Sequence, residues 1–393
     1  MNILFITSFR ITPNSGGVQR VTETLAKEFV DYGYSVCFLS TSKGSKELIN
    51  GITQYYLPNG ANFIDTENIL FFRNLVEERK ISIIINQMGF SSSKIKFIKK
   101  NISSVIKVFT VHHNCVKCLN DQYHNIYAPT LKSKGLLKIF DNRVGWYFLR
   151  KIHKIRYAKA IKEVVNLSDK VVLLSDKFIP EINYYLPNFK SSKIIAIPNP
   201  NPFSYKKVAN FDEKENILLF VGRLERVQKR VDRLVKIWKE LYYKFPDWEF
   251  HIVGNGSMKN ELDKIIKENK VQNIFLHGFN DPIPFYNKAK IFCLTSDFEG
   301  YGMVLVESQT YGVVPITNKS FSSINEIIVN NETGIIINGF NLNTYVEKLQ
   351  ILMKDSNKLY KMSKNASKHI EKFNSQLIAK CWIEHFETLS KDD

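Results

Sequence analysis

Ser296-Asp297-Phe298-Glu299-Gly300-Tyr301-Gly302-Met303-Val304-Leu305-Val306-Glu307-Ser308 follows an apolar segment, residues 290–295, that reads as a buried parallel strand. Two glycines then turn the chain into an apolar-rich helix that runs on through Gln309 to Tyr311. The first backbone N–H groups of a helix have no partner inside it, and glycine lets a ligand come close to them. The amides of Gly300, Tyr301, Gly302, Met303 and Val304 therefore form a candidate diphosphate site. Glu299 lies on the turn and Glu307 about one turn into the helix, so two carboxylates flank that site. One can accept hydrogen bonds from a sugar hydroxyl and the other from a ribose diol, which is what a nucleotide sugar requires.

Two other segments share this strand–glycine–helix layout. Residues 216–234 read as a strand, a turn at Gly222 and a helix, with Arg223 and Lys229 in the connection. Arginine presents a rigid fork to phosphate oxygens and lysine a mobile point charge, so the pair suits a diphosphate. At the amino end, residues 2–7 read as a strand, residues 13–20 as a loop bearing Gly16 and Gly17, and residues 21–29 as a helix that stops near Gly33. That loop lacks the Gly-x-Gly-x-x-Gly fingerprint of dinucleotide sites.

In this order the three segments resemble the retaining glycosyltransferases of family 4, the group 1 glycosyl transferases with the GT-B fold, in their bacterial surface-polysaccharide form. The resemblance implies an α/β architecture of two Rossmann-like domains facing each other across a cleft, with a carboxyl-terminal helix crossing back to the first domain. It implies that Arg223 and Lys229 grip the donor diphosphate, that Glu299 orients the sugar and that Glu307 holds the ribose. Gly16 and Gly17 would close over the donor from the first domain, where a side chain would collide with the diphosphate. Gly254 belongs to a turn resembling the family's Val-Gly-x-Gly, and Phe279 to a segment whose backbone contacts the base; Phe279 could equally be plain packing. His112 or His113 would face the donor sugar, with His112 favoured by register, although either reads equally well as an exposed loop histidine. The catalytic set implied is Glu299, Arg223, Lys229 and His112. Arg230 stands where the family usually has glycine, which either adds a third cation or points outward. Replacing Glu299 by glutamine is expected to collapse turnover and leave stability nearly intact.

No cofactor is implied: the donor is a UDP-sugar first and a GDP-sugar second. The acceptor is a glycan or a polyprenyl-diphosphate-linked glycan. No Asp-x-Asp occurs in the chain, so the diphosphate would be met by Arg223, Lys229 and the helix start rather than by a metal. His112, His113, Cys115 and Cys118 could in principle bind zinc, but no second pair of such ligands follows. Two rival functions share the architecture: a nucleotide-sugar 2-epimerase, and a non-catalytic nucleotide-sugar-binding subunit.

At 393 residues the chain exceeds a single hydrophobic core. The expected division is a first domain over 1–197, a hinge over 198–202 rich in proline, a second domain over 203–374 and a crossover helix over 375–393. Strands are expected in the first half at 35–39, 53–57, 81–85, 105–111, 171–174 and 194–197. In the second half they fall at 217–221, 248–253, 274–276, 291–295, 313–316 and 334–337. This alternation of strand and helix signals is that of two doubly wound sheets. No apolar run is long enough to span a membrane, the first residues lack a secretory leader, and five cysteines give no disulfide framework. A cytoplasmic location follows as the expectation.

The net charge of +17 is unevenly placed. Residues 81–120 hold six lysines and no acid. Residues 131–165 mix Lys132, Lys134, Lys138, Arg150, Lys151, Lys154 and Arg156 with Leu136, Leu137, Ile139, Phe140, Trp146, Phe148 and Leu149. A basic helix with apolar partners reads as a surface for anionic lipid, which suggests peripheral attachment to the inner face of the cytoplasmic membrane through residues 94–100 and 131–165. A solvated lysine-rich face is the plainer reading. Nucleic acid is not expected as a partner, because no recognised nucleic-acid module accompanies the charge.

Overall fold

The structure, a computed structural model, describes all residues except 13–15, 133–140, 204–209 and 392–393. The chain divides into two units, Met1–Pro202 with Ser375–Asp393, and Phe203–Asn374.

The sheet of the first unit contains β1 (Asn2–Thr7), β2 (Ser35–Ser40), β3 (Glu47–Ile49), β4 (Ile52–Tyr56), β5 (Ile83–Asn86), β6 (Lys107–His112), β7 (Lys170–Leu173) and β8 (Ile194–Ala196). Their order across the sheet is β3-β4-β2-β1-β5-β6-β7-β8. All pairings are parallel except that of β3 with β4. Central strands of a parallel sheet are covered on both faces and so need continuous apolar runs. Ile83, Ile84 and Ile85 supply one, each almost wholly buried.

The second unit holds β9 (Ile217–Val221), β10 (Glu249–Val253), β11 (Ile274–Gly278), β12 (Ile291–Leu294), β13 (Val314–Asn318) and β14 (Ile335–Ile337). Its sheet runs β11-β10-β9-β12-β13-β14, parallel throughout. This is the strand order of a doubly wound nucleotide-binding sheet. The first sheet repeats it once its two outermost strands, β3 and β8, are set aside.

The expected strands are present, with ends displaced by up to two residues, and the helix of the first segment starts at Gly17 rather than at 21. It ends at Asp31 with Tyr32 as its cap, and Gly33 takes the left-handed conformation (φ 83°) that closes many helices. Sequence reading missed β3. The strand is three residues long, too short to show a period, but Asn50 and Gly51 after it both have positive φ (48° and 83°). An Asn-Gly pair is a strong hairpin signal, and it was there to be read.

The helix Ser375–Lys391 belongs to the first unit. Phe386 sets its ring 5.4 Å from Phe29 and 5.1 Å from Phe109, and Trp382 sits 5.8 Å from Phe109. Burying each of these rings contributes about 2–3 kcal/mol. The last helix is therefore part of the first unit's core, although the whole second unit separates it from that core in sequence.

Candidate active site

In a sheet of this order, the connections leaving two neighbouring central strands run to opposite sides, and a crevice opens at the carboxyl ends of those strands. In the second unit the two strands are β9 and β12. The loop after β9 carries Arg223 and Lys229, and the loop after β12 carries Glu299 through Gly302. The residues singled out in sequence thus fall at one place in the fold.

Gly302 caps the helix Met303–Thr310 in the left-handed conformation (φ 76°). A Cβ there would meet Phe321 Cζ at 2.9 Å, so both backbone and space call for glycine. Gly254 lets a neighbouring backbone pass close. A Cβ on it would lie 1.8 Å from the Gly222 carbonyl oxygen, and one on Gly256 would lie 2.3 Å from that of Leu224. The loops after β9 and β10 rest directly on each other, joined by Gly222 N–H to Val253 O (3.0 Å) and Leu224 N–H to Asn255 O (2.9 Å). This contact fixes the backbone on either side of Arg223.

The loops after β9 and β12 are stitched together by charge. Lys229 Nζ donates to Glu299 Oε1 at 2.7 Å, with the two side chains only 11% and 6% exposed. Gln228 Nε2 lies 3.4 Å from the other carboxylate oxygen, and its backbone carbonyl accepts from Asp297 N–H at 2.8 Å. Arg230 is neither a third phosphate cation nor outward-pointing. It grips Asp232 with two nitrogens at 3.1 Å and Asp297 at 3.0 Å, while Arg233 takes the other Asp297 oxygen at 2.6 Å. Its φ of 49° explains why glycine suits this position and why an arginine there needs two carboxylates to hold it.

Arg223 contrasts with Lys229. Its side chain is 70% exposed and, among the described residues, meets Glu225 at 3.2 Å and Gln228 at 3.0 Å. Surface pairs of this kind hold a side chain by about 0–1 kcal/mol, so Arg223 can swing to a ligand at little cost.

Glu307 is buried on the helix Met303–Thr310, and its Oε2 accepts from the Tyr286 hydroxyl at 3.1 Å. Phe279 is 72% exposed, which removes plain packing as its role. Tyr301 is buried, with its ring 6.0 Å from Phe373. Met303 and Val304 are half-buried at the helix start. Sequence reasoning missed Tyr286, and it missed a set of buried polar atoms at the ends of β12 and β13. Ser296 Oγ, Asn318 Oδ1, Ser320 Oγ and Ser323 Oγ are enclosed without a hydrogen-bond partner among the described residues. Asn318 Nδ2 donates to Ser296 O at 2.8 Å, so the two loops are linked there as well. The polar run 317–320 directly after an apolar strand was the available signal.

In the first unit the corresponding strands are β1 and β5. Gly16 (φ 32°) caps the helix that Gly17 begins; residues 13–15 of the same loop lie outside the described residues. His112 is the last residue of β6 and is buried, so it is not an exposed loop histidine. Its ring lies 4.4 Å from Phe90, and its Nε2 is 3.3 Å from the Tyr157 hydroxyl. Burial, reinforced by repulsion from His113, pulls its pKa down to about 3. Burial holds His113 at about 4, and its Nε2 is hydrogen-bonded to Gln87 Oε1. Both imidazoles are neutral at physiological pH, available as hydrogen-bond partners and not as stored positive charge. The zinc alternative gains nothing: Cys115 and Cys118 are buried, and Cys118 Sγ donates to Cys115 O at 3.0 Å. The Cys118 hydrogen bond and burial push the Cys115 thiol well up, away from the thiolate that zinc prefers. Among the described residues no group of three or more His, Cys, Asp or Glu is placed to hold a metal ion.

The sequence profile of the family "Glycosyl transferases group 1" matches residues 203–369, the part of the chain that carries these loops. Over those residues the chain is similar to the group 1 glycosyl transferases. An uncharacterised glycosyltransferase of Haemophilus influenzae is 28% identical over 373 residues, covering 94% of this chain and 96% of its own. An alpha-1,4-N-acetyl-D-galactosaminyltransferase of Campylobacter jejuni, named for a PP-undecaprenol-linked glycan, is 26% identical and covers 98% of this chain and 97% of its own. The Anabaena protein HepE, crystallised with UDP and glucose, superposes with a TM-score of 0.70 at 14% identity over 99% of this chain and 100% of its own. At that identity the superposition establishes the GT-B fold.

The ion pair alters what Glu299→Gln should do in this glycosyltransferase. Breaking a buried pair leaves one charge uncompensated, which costs about 3–5 kcal/mol, while removing both partners costs far less. Urea denaturation should show Glu299→Gln and Lys229→Met each destabilised by roughly 2–4 kcal/mol, and the double variant less than the sum of the two. Strictly additive losses would show that the pair does not exist in solution.

Proposed function

We propose that the protein is a retaining glycosyltransferase that moves a hexosyl or N-acetylhexosaminyl group from a nucleoside diphosphate sugar to a glycan or polyprenyl-diphosphate-linked acceptor in surface-polysaccharide assembly. The observation that carries this reading is the convergence of Arg223, Lys229, Glu299 and the Gly302 helix start at the β9/β12 switch point. A UDP-sugar is the first candidate donor, in keeping with the UDP bound by HepE, and a GDP-sugar the second. The lipid-linked acceptor is in keeping with the name of the Campylobacter relative.

As the glycosidic bond of the donor breaks, negative charge gathers on the leaving diphosphate, and groups already aimed there lower the barrier most. Lys229 stands ready but paired; a sugar hydroxyl reaching Glu299 and a phosphate reaching Lys229 would exchange one ion pair for two ligand contacts. Arg223 would swing in, and the amides from Gly300 to Val304 would add their dipoles. Gly16 and Gly17 would leave room for the diphosphate from the first unit, and Gly254 and Phe279 would border the base. His112, neutral, would act as a hydrogen-bond partner of the sugar rather than as an acid. These cations take the place of a metal in this reading. Retention would proceed on the front face, with the leaving oxygen helping to deprotonate the acceptor, because no carboxylate is assigned as a nucleophile beneath the anomeric carbon.

Peripheral attachment to an anionic membrane also belongs to this proposal. The support comes chiefly from the helix Arg143–Leu167, which exposes Val144, Tyr147, Phe148, Ile152 and Ile155 among Arg143, Arg150, Lys151, Lys154 and Arg156. In the helix Ser92–Lys100 the lysines are largely engaged: Lys94 with Ser8, Lys96 with Glu163 and Lys99 with Asp169. Lys134, Lys138, Leu136, Leu137, Ile139 and Phe140 lie outside the described residues. No helix among the described residues is long and apolar enough to cross a membrane.

A ligand that binds only the native state raises its melting temperature. With UDP, GDP, ADP and dTDP in EDTA, one diphosphate should stabilise selectively and lose its effect in Arg223→Ala. A shift that requires divalent metal would remove the metal-free part of the reading. Turnover with the matching nucleotide sugar in EDTA should give a product whose anomeric coupling equals the donor's, and an inverted anomer would refute retention. In flotation at low salt the protein should rise with vesicles containing phosphatidylglycerol, and Phe148→Glu with Ile152→Glu should stay below. Wild-type protein left at the bottom of the gradient would dispose of the membrane reading.

A further inference from the structure

Glu307 is held by a residue that no motif contains. Tyr286 lies in the helix Ile283–Lys288, fully buried, and its hydroxyl donates to Glu307 Oε2 at 3.1 Å. Three contacts place that hydroxyl. The Tyr286 ring stacks on Tyr311, 5.5 Å away and 9° from parallel, and Tyr311 directly follows the helix that carries Glu307. The backbone carbonyl of Tyr286 accepts from Lys214 Nζ at 2.9 Å. The same nitrogen reaches the carbonyls of Asn287 (3.1 Å) and Ala289 (3.0 Å), so one buried lysine gathers the carboxyl end of the Tyr286 helix.

A carboxylate that binds a diol must present its oxygens in a set direction, and a long glutamate side chain does not do so unaided. A phenol donating to one oxygen makes a charge-assisted bond and selects one orientation of the carboxylate plane. We propose that Tyr286 is a positioning residue for nucleotide recognition: by holding Glu307 Oε2 it turns the carboxylate toward the ribose and makes the protein prefer ribonucleoside over 2′-deoxyribonucleoside diphosphates. This rests on the reading of Glu307 as the ribose ligand. Lys214 acts one step further back, by fixing the backbone from which Tyr286 projects.

The test is calorimetric titration of the full chain with UDP against 2′-deoxy-UDP, or with the corresponding guanosine pair if GDP is the stabilising diphosphate. Tyr286→Phe keeps the stacked ring and removes only the hydroxyl. It should weaken UDP binding about tenfold, the size of one hydrogen bond to a charged group, and change 2′-deoxy-UDP binding less than about twofold. Glu307→Asp, which withdraws the carboxylate from the hydroxyl by one methylene, should lower the same ratio and serves if Tyr286→Phe folds poorly. A structural role alone would weaken both ligands equally and would overturn the proposal. Glu307→Ala separates the two levels. If it abolishes the preference while Tyr286→Phe keeps it, the positioning role fails and the ribose reading stands. If Glu307→Ala also keeps the preference, both fail.

Discussion

The ladder between β9 and β12 is registered only at Leu218 with Ile291 and Leu219 with Phe292. Beyond those two pairs the strands part, and everything proposed for the second unit depends on that parting. A longer ladder would close the crevice at the carboxyl ends; no ladder would split the sheet. The loops that leave the two strands are rejoined by side chains instead of backbone: Lys229 to Glu299, and Arg230 and Arg233 to Asp297. Backbone pairing would have consumed amides that a ligand can use. Side-chain ion pairs can be exchanged for ligand contacts.

That exchange sets the division of labour among the cations. Arg230 sits in a left-handed conformation unfavourable to a residue with a Cβ, and its two carboxylate partners hold it there. It serves architecture. Lys229 is paired with a group that itself belongs to the candidate site, so it can be released by substrate. Arg223 is hardly held. The three cations are thus fixed, exchangeable and mobile in turn, and the mobile one is by far the most exposed.

Much of the fold was legible because a doubly wound sheet writes itself in apolar runs. Segments such as Ile83–Asn86 and Ile291–Leu294 admit no other reading when glycine turns and amphipathic helices alternate with them. Strand ends were less legible: placing His112 after β6 instead of at its last position changed it from an exposed group to a buried neutral one. The motif residues were found from their local patterns, and Gly254 was read as letting backbone pass close, but which backbone it was could not be read. Its missing side chain makes room for the Gly222 carbonyl, a neighbour 32 residues away in the chain that no local pattern encodes.

The sequence by itself determined the two-sheet class, the glycine-bearing turns and the residue types gathered at the candidate site, because these depend on short-range periodicity and on intrinsic chemistry. Only the tertiary structure decided which charges meet. Lys229 and Glu299 are 70 residues apart, and Lys214 and Tyr286 are 72 apart. Their encounter follows from strand order, and strand order is chosen by the packing of whole sheets. The state of each group follows from the same cause: whether an arginine is free, a lysine paired or a histidine neutral depends on burial, and burial exists only once the sheets have formed.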